Sequence, residues 1–192
     1  MKKMYLAGPF FNSAQVELMA TIEGAVAAAG FKAFSPRLHA RQLGKGATPE
    51  QQRDTFDDDL VGLQEAGVVL AVLDWKLPDT ERVLKEYWTN REGKLAWRSS
   101  EDTILNIPDS GTVWEMGYAF SRNIPVVGFT ENPRAVNLML MQSCLGVVVG
   151  LKKLEEMLLT ARNARRDILD PPDPTDFVNC TRVWCAWKGP TT

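Results

Sequence analysis

Apolar and polar positions divide the first third of the chain into three short elements. Residues 4–7 are an apolar run that ends at a Gly-Pro pair, which is typical of a buried strand entering a tight turn. In residues 14–29 the apolar positions recur three and four apart, as they do on a helix. Residues 31–34 then alternate like a second strand. This order predicts a strand–helix–strand unit of a parallel α/β sheet.

The boundaries of the first predicted helix carry their own signals. Asn12 or Ser13 can cap its start, because their side chains accept a hydrogen bond from the first turn. Gly30 suits its C-terminal end, since glycine adopts a left-handed backbone conformation at little cost. Residues 37–49, which are polar and hold two glycines, predict a surface loop.

The same alternation continues to residue 168. Residues 50–67 predict a helix, and residues 68–73 are apolar on both faces, as expected of a central parallel strand. The remaining predicted elements are a helix at 109–122, a strand at 126–129, a short helix at 137–141, a strand at 147–149 and a helix at 151–168. We therefore predict an α/β fold: a single doubly wound (Rossmann/flavodoxin-like) domain, with a central parallel sheet of about five strands flanked by helices.

A length of 192 residues fits one domain with additions. We assign residues 1–169 to the domain and residues 170–192, which follow a proline-rich linker, to a C-terminal extension. Residues 75–108 are polar with three tryptophans, and we interpret them as an inserted lid or flap, or else as a peripheral loop.

Composition excludes several classes of function. A net charge of −2 argues against a general nucleic-acid binder. No apolar run approaches the ~20 residues that span a bilayer, and the start does not look like a signal peptide, so we expect a cytoplasmic protein without a membrane partner. Because His39 is the only histidine, chemistry that needs two imidazoles is excluded, and carboxylates are the expected catalytic groups. His39 itself is expected at the surface.

The three cysteines indicate no metal centre. Cys144 lies beside an apolar run and is expected to be a buried reduced thiol. Cys180 and Cys185 have a spacing that is only a weak zinc signal without a second pair. We therefore expect neither a metal nor a cofactor.

Ligands of open α/β sheets bind beyond the carboxyl ends of the strands. Three features of the sequence lie there: the turn Gly8-Pro9-Phe10 after the first strand, Asp74 after the third, and residues 109–115 at the start of a helix. Glu115 is the strongest catalytic candidate, since the positive end of the helix macrodipole stabilises a carboxylate. The alternative is a capping box with Thr112, because Thr-x-x-Glu has that spacing.

Three other residues have a structural and a functional interpretation. Asp109 is either a helix N-cap or a ligand of a polar molecule. Asp59 belongs to an acidic run, 57–59, that is usually solvated, but three consecutive helix residues span about 200°, so one can reach the sheet edge. Tyr5 is typical of a core residue whose hydroxyl finds a partner.

Taken together, several motifs resemble those of the nucleoside 2-deoxyribosyltransferase family, over roughly residues 3–159 apart from the 75–108 stretch. The motifs, in chain order, are Tyr5-Leu6-Ala7-Gly8-Pro9-Phe10-Phe11, the region of Asp59, Asp109-Ser110-Gly111-Thr112-Val113-Trp114-Glu115-Met116-Gly117-Tyr118-Ala119 and Asn137-Leu138-Met139-Leu140.

This resemblance implies a catalytic role for three residues. Glu115 matches the family's nucleophile, and Tyr5 matches the tyrosine that orients it. A phenol that donates to the carboxylate is expected to keep it ionised. Asp59 matches the aspartate that contacts the nucleobase and helps manage its proton. Either Asp59 or the recycled Glu115 could carry the proton that the departing base gains.

The resemblance also implies the binding site. Asp109 and Asn137 match residues that bind the sugar hydroxyls, and Met139 matches one that packs near the sugar. The turn of Gly8, Pro9 and Phe10, together with Gly111, belongs to the same substrate-binding motifs. In the family the Asn137 segment completes a neighbouring subunit's site, which implies a homo-oligomer, either a dimer or an assembly of dimers.

The implied reaction moves 2-deoxyribose from a 2′-deoxynucleoside to a free nucleobase. A carboxylate nucleophile and two inversions give net retention. One alternative is a hydrolase of 2′-deoxynucleoside 5′-monophosphates. Phosphate capture favours arginine or serine in the first loop, whereas this loop begins with Phe10-Phe11, so a neutral nucleoside is favoured. A non-catalytic nucleotide-sensing module is the third alternative.

Overall fold

The fold is built around a parallel five-stranded sheet. The computed structural model describes residues 3–41, 43–44, 46–74, 108–131 and 138–163. The strands are β1 (Lys3–Ala7), β2 (Ala33–Phe34), β3 (Ala66–Val72), β4 (Val126–Thr130) and β5 (Gly146–Val149). All four strand pairs are parallel, in the order β2-β1-β3-β4-β5. The prediction of a doubly wound α/β fold with about five parallel strands is confirmed.

Helices cover both faces of this sheet. They are α1 (Ser13–Ala28), α2 (Pro36–His39), α3 (Pro49–Glu65), α4 (Ser110–Ser121), α5 (Leu138–Ser143) and α6 (Leu151–Asn163). Apolar residues of α1 and α6 form one buried cluster with the sheet, and those of α3 and α4 form a second cluster on the opposite face. The sheet is therefore buried on both sides, which explains why all seven residues of β3 are buried.

Alternation along β1 decides which side chain meets which helix layer. Met4 and Leu6 belong to the cluster under α1 and α6, whereas Tyr5 and Ala7 belong to the cluster under α3 and α4. Successive side chains of a strand point to opposite faces, so this division follows from the strand itself. Tyr5 is thereby placed on the same side of the sheet as α4.

The strand order reverses between β1 and β3, which is the position where open α/β sheets bind ligands. Gly8 leaves β1 at this point. A Cβ atom there would lie 2.5 Å from the Sδ atom of Met19 and 3.1 Å from the Cβ atom of Val72. Glycine at position 8 therefore allows α1 to pack closely against the sheet where β1 and β3 end.

The helix caps agree with the sequence at α1. Asn12 is its N-cap, with a side chain that accepts a hydrogen bond from the backbone nitrogen of Gln15 at 3.0 Å. Gly30, just past its end, has a φ of +81°, the left-handed conformation that glycine tolerates. Helix α3 begins after Thr48, which forms a capping box with Gln51.

Some predicted boundaries were wrong. The segment 37–49 is not loop throughout, because it begins within α2; Pro36 stands in the first turn, where its fixed φ favours a helix. Helix α3 ends at Glu65, two residues early, because Ala66 already pairs with Lys3 in the sheet. The insertion at 75–107, the extension at 170–192 and the cysteines Cys180 and Cys185 lie outside the described residues, so the division into domains stays a prediction.

Candidate active site

A hydrogen bond between Tyr5 and Glu115 forms the centre of the site. The phenol oxygen of Tyr5 donates to the Oε1 atom of Glu115 at 2.5 Å. Tyr5 is completely buried in β1, and Glu115 is half-buried in the second turn of α4. A bond this short is typical of a donor that meets a charged acceptor. It joins two residues that are 110 positions apart in the chain.

Helix α4 points Glu115 inward because its neighbours anchor the helix to the sheet. Met116 and Ala119 are buried in the cluster that also contains Tyr5. The alternative of a capping box between Thr112 and Glu115 is wrong. Asp109 is the N-cap, and it accepts a hydrogen bond from the backbone nitrogen of Thr112 at 3.0 Å. Thr112 therefore lies inside the first turn and cannot cap the helix.

The aspartates of the acidic run 57–59 in α3 lie in different environments. Asp58 forms an ion pair of 3.2 Å with Arg41, which also pairs with Asp54. Asp59 instead lies near the Tyr5–Glu115 pair, since its charge raises the pKa of both groups. The Oδ1 atom of Asp59 is buried and has no hydrogen-bond partner in the part of the chain described here.

Burial controls the protonation of these groups. The pKa of Glu115 is raised to about 8, mainly by desolvation. The hydrogen bond from Tyr5 opposes this rise, and the charges of Asp59 and Asp109 add to it. The hydrogen bond from the phenol acts in the expected direction, because it favours the ionised carboxylate, but burial opposes it more strongly. Burial and the charge of Asp58 raise the pKa of Asp59 to about 6. Burial, followed by the charge of Glu115, also raises the pKa of Tyr5.

Asp109 and Gly111 shape the start of α4. Asp109 is buried and holds the first turn, so its structural interpretation as an N-cap is confirmed. Gly111 is exposed, and a Cβ atom there would lie 2.9 Å from the Oδ2 atom of Asp109. The missing side chain thus leaves room for the Asp109 carboxylate. Whether Asp109 also binds a sugar stays a prediction.

The turn after β1 is anchored to α1. Pro9 is buried, and Gly8 and Phe10 are half-buried. Phe10 stacks on Phe11 with ring centroids 5.6 Å apart, and the backbone nitrogen of Phe11 donates to the Oε1 atom of Gln15 at 2.7 Å.

Gln15 is a buried residue that the sequence interpretation did not single out. Its signal was present, because it opens the sheet-facing stripe of α1 that continues with Leu18, Met19 and Ile22. A polar residue at the head of an apolar stripe indicates a side chain with a structural partner, and here that partner is the turn after β1.

Other candidate residues are not brought to this centre. Asp74 accepts hydrogen bonds from the Oγ1 atom of Thr130 at 2.7 Å and from the backbone nitrogen of Glu131 at 2.5 Å, so it joins the ends of β3 and β4. Met139 lies on α5 with 76% of its surface exposed. Asn137 lies outside the described residues.

His39 and Cys144 lie in the surroundings that the sequence predicted for them. His39 is exposed at the end of α2, and Cys144 is a buried thiol. Among the described residues, no group of three or more His, Cys, Asp or Glu side chains is placed to hold a metal ion. No helix in the described ranges is long and apolar enough to cross a membrane.

Fold and site together define a class of protein: a parallel α/β domain with a carboxylate and a phenol in contact beside the switch in its sheet. Within this class, the model of the family Nucleoside 2-deoxyribosyltransferase matches residues 4–82 of the chain. The resemblance to the nucleoside 2-deoxyribosyltransferase family is thereby confirmed. The matched residues include Tyr5 and Asp59.

Two solved structures share the fold. One is a 2-deoxyribosyltransferase from the psychrotolerant bacterium Bacillus psychrosaccharolyticus, with 23% sequence identity, a TM-score of 0.59 and coverage of 80% of this chain and 90% of that one. The other is a conserved protein from Enterococcus faecalis V583, with 20% identity, a TM-score of 0.58 and coverage of 86% and 99%. No curated protein matches the chain in sequence.

Proposed function

We propose that this protein transfers 2-deoxyribose between nucleobases, with Glu115 as the nucleophile. The observation that carries the proposal is the 2.5 Å hydrogen bond from the Tyr5 phenol to Glu115, made beside the switch of the sheet. The bond fixes one carboxylate oxygen and leaves the other to attack. The family match and the structural similarity to a 2-deoxyribosyltransferase support the same class of activity.

The proposed reaction has two displacements. A carboxylate oxygen of Glu115 bonds to the anomeric carbon of the deoxyribose, while the bond to the base nitrogen breaks and its electron pair leaves with the base. The incoming base then attacks the same carbon through a nitrogen lone pair and displaces Glu115. Two inversions return the original configuration.

Asp59 is the proposed proton carrier. The departing base gains a proton and the incoming base loses one, so a single group can serve both steps. A carboxyl with a pKa of about 6 exchanges protons readily near neutral pH. The buried Oδ1 atom of Asp59 has no hydrogen-bond partner among the described residues, which suits a group that pairs with a base.

The binding roles follow from the resemblance. We propose that Asp109, Gly111 and the turn of Gly8, Pro9 and Phe10 contact the substrate. The stacked pair Phe10–Phe11 gives this turn an apolar surface, which favours a neutral nucleoside over a phosphorylated one.

We further propose a homo-oligomer, a dimer or an assembly of dimers, in which Asn137 and Met139 complete a neighbouring site. The exposed position of Met139 on α5 supports this arrangement. We place the protein in the cytoplasm.

The test is an exchange assay. The protein is incubated with a 2′-deoxynucleoside and a different free base, and separately with a 2′-deoxynucleoside 5′-monophosphate. We expect the new deoxynucleoside to form, and a Glu115→Gln variant to lose at least roughly 1000-fold in rate, because the nucleophile is removed. Mass spectrometry of the quenched wild-type protein should show a deoxyribosyl adduct on Glu115.

Glu65→Gln is the matched control, since Glu65 is an exposed glutamate at the end of α3 that pairs with Lys3. It should exchange bases at the wild-type rate. Base release only from the monophosphate would identify a hydrolase and overturn the proposal. Absence of turnover with both substrates would favour the nucleotide-sensing module.

A further inference from the structure

The Tyr5 ring, which donates the hydrogen bond to Glu115, belongs to a stack of three rings with Phe34 and His39. The ring of Phe34 lies nearly parallel to the Tyr5 ring, with centroids 5.5 Å apart and an interplanar angle of 13°. The ring of His39 also stacks on Phe34, with centroids 5.3 Å apart and an interplanar angle of 26°. Tyr5 and Phe34 are directly opposite each other in the parallel β1–β2 pair. The stack is thus fixed by strand register and by α2.

Helix α3 closes a third side of the Phe34 ring. A Cβ atom at Gly62 would lie 2.6 Å, 2.7 Å and 2.9 Å from the Cδ1, Cε1 and Cγ atoms of Phe34. Real Cβ atoms do not approach other atoms this closely, so the ring occupies space that any other residue at position 62 would fill. Phe34 cannot move away without disturbing Tyr5 or His39.

The stack limits the orientations of the Tyr5 ring. A hydrogen bond of 2.5 Å requires the phenol oxygen to stay at one position relative to Glu115. We propose that Phe34 is a positioning residue, which holds the Tyr5 phenol on Glu115 through the stack, and that Gly62 provides the space it needs. The effect on catalysis rests on the proposed function, whereas the effect on Glu115 does not.

The proposal predicts the direction in which the pKa of Glu115 changes when the Tyr5 ring is displaced. Tyr5, Asp59 and Asp109 are the groups that act on the pKa of Glu115 besides burial, and the Tyr5 hydrogen bond is the one that lowers it. Displacing the Tyr5 ring weakens this bond, so the pKa of Glu115 rises. Without the Tyr5 hydroxyl there is no bond to weaken, so a change at Phe34 then has no further effect.

The experiment compares Gly62→Ala and Phe34→Leu, each in the wild-type and in a Tyr5→Phe background. The pKa of Glu115 is measured by NMR of the carbon-13 labelled glutamate carboxyl groups, and kcat and KM by base exchange. We expect both variants to raise the pKa and to lower kcat by roughly 10–100-fold with little change in KM, as for a misplaced catalytic group. In the Tyr5→Phe background neither should add to the effect.

Gly24→Ala in α1 is the matched control, because no atom of the described residues lies within 4 Å of a Cβ atom there. It should keep the wild-type pKa and rate. Alanine is favoured over glycine in a helix by about 1 kcal/mol, so a loss in Gly62→Ala cannot come from helix propensity. This variant decides the question if Phe34→Leu does not fold.

An unchanged pKa of Glu115 in Gly62→Ala would overturn the proposal, as would an equal shift with and without the Tyr5 hydroxyl. If the wild-type protein exchanges no bases, the proposed function fails, while the carboxyl titration still decides the role of Phe34.

Discussion

Glu115 and Asp59 have raised pKa values for the same reason, which is the cost of placing a carboxylate away from water. The pKa of Asp59 lies at about 6 and that of Glu115 at about 8. Between these values the two groups together hold one proton. The proposed reaction needs that proton on Asp59 and a charged Glu115. The active form in the proposed reaction is therefore the singly protonated pair that carries its proton on Asp59.

This pairing predicts a bell-shaped dependence of kcat/KM on pH, with its maximum between about 6 and about 8. Below the lower pKa both carboxyls are protonated and no nucleophile exists. Above the upper pKa both are ionised and no proton is available for the leaving base. Initial rates across this pH range measure both limbs.

Asp59→Asn removes one partner of the pair. We expect a rate lower by roughly 10²–10⁴-fold and no alkaline limb, because the acid that caused it is gone. The remaining acid limb should report the ionisation of Glu115 alone, with a pKa below about 8, since the charge of Asp59 no longer raises it. Asp57→Asn, an exposed neighbour in the same run, should keep the wild-type profile. An alkaline limb that persists in Asp59→Asn would contradict this assignment.

At the scale of elements, α4 links the stability of the fold to the geometry of the site. Its first turn is held by Asp109, and its buried face presents Met116 and Ala119 to the sheet. Glu115 lies between the N-cap at Asp109 and this buried face, so the direction of its side chain depends on where the helix begins. The N-cap of α3 at Thr48 has the same chemistry but lies exposed, away from the described site.

The comparison of these caps gives a prediction. Asp109→Ala and Thr48→Ala should each lower the free energy of unfolding by about 1 kcal/mol, because each leaves backbone donors of a first turn without their acceptor. Asp109→Asn should stay close to wild type, since asparagine is an equally good cap. Urea denaturation measures all three.

Activity separates the two positions. Asp109→Ala should also reduce kcat/KM for base exchange, whereas Thr48→Ala should not. Equal stability of wild type and Asp109→Ala would show that this cap contributes nothing to the fold.

At the scale of the whole molecule, the strand order places the Tyr5–Glu115 pair beside the sheet's switch, and the proposed assembly would complete this candidate site from a second copy. Met139 lies on α5, which contacts α4. In the proposed arrangement, however, Met139 completes the site of a second copy, so the Glu115 and Met139 of one site come from different subunits. Mixing two variants that each lack one of these residues tests whether the sites are shared between subunits.

We expect the Glu115→Gln and Met139→Arg variants each to be inactive alone. When equal amounts of the two variants are mixed and their subunits redistribute at random between dimers, roughly a quarter of the wild-type rate should return. In the mixed dimer, one site combines the intact Glu115 of one subunit with the intact Met139 of the other. Light scattering on the separated particles gives the oligomeric state. A monomer, or a mixture that stays inactive, would contradict shared sites.

The sequence predicted the fold more fully than the site. The apolar run of β3 and the cap at Asn12 are local signals, and both were read from neighbouring residues. Tyr5 and Glu115 are 110 residues apart, so a family resemblance was needed to connect them. The role of Phe34 depends on the register of β1 with β2, which no local pattern specifies. The net pKa of Glu115 depends on burial, a property of the assembled fold.

The hydrogen bonds of Asp74 have a consequence for how this domain can be redesigned. Asp74 fastens the end of β3 to the end of β4, and Asp109 fastens the start of α4, so the chain is anchored on both sides of positions 75–107. Neither anchor takes part in the Tyr5–Glu115 bond. The interval between them is therefore a junction where segments of different length and composition can be exchanged while the reacting groups keep their spacing.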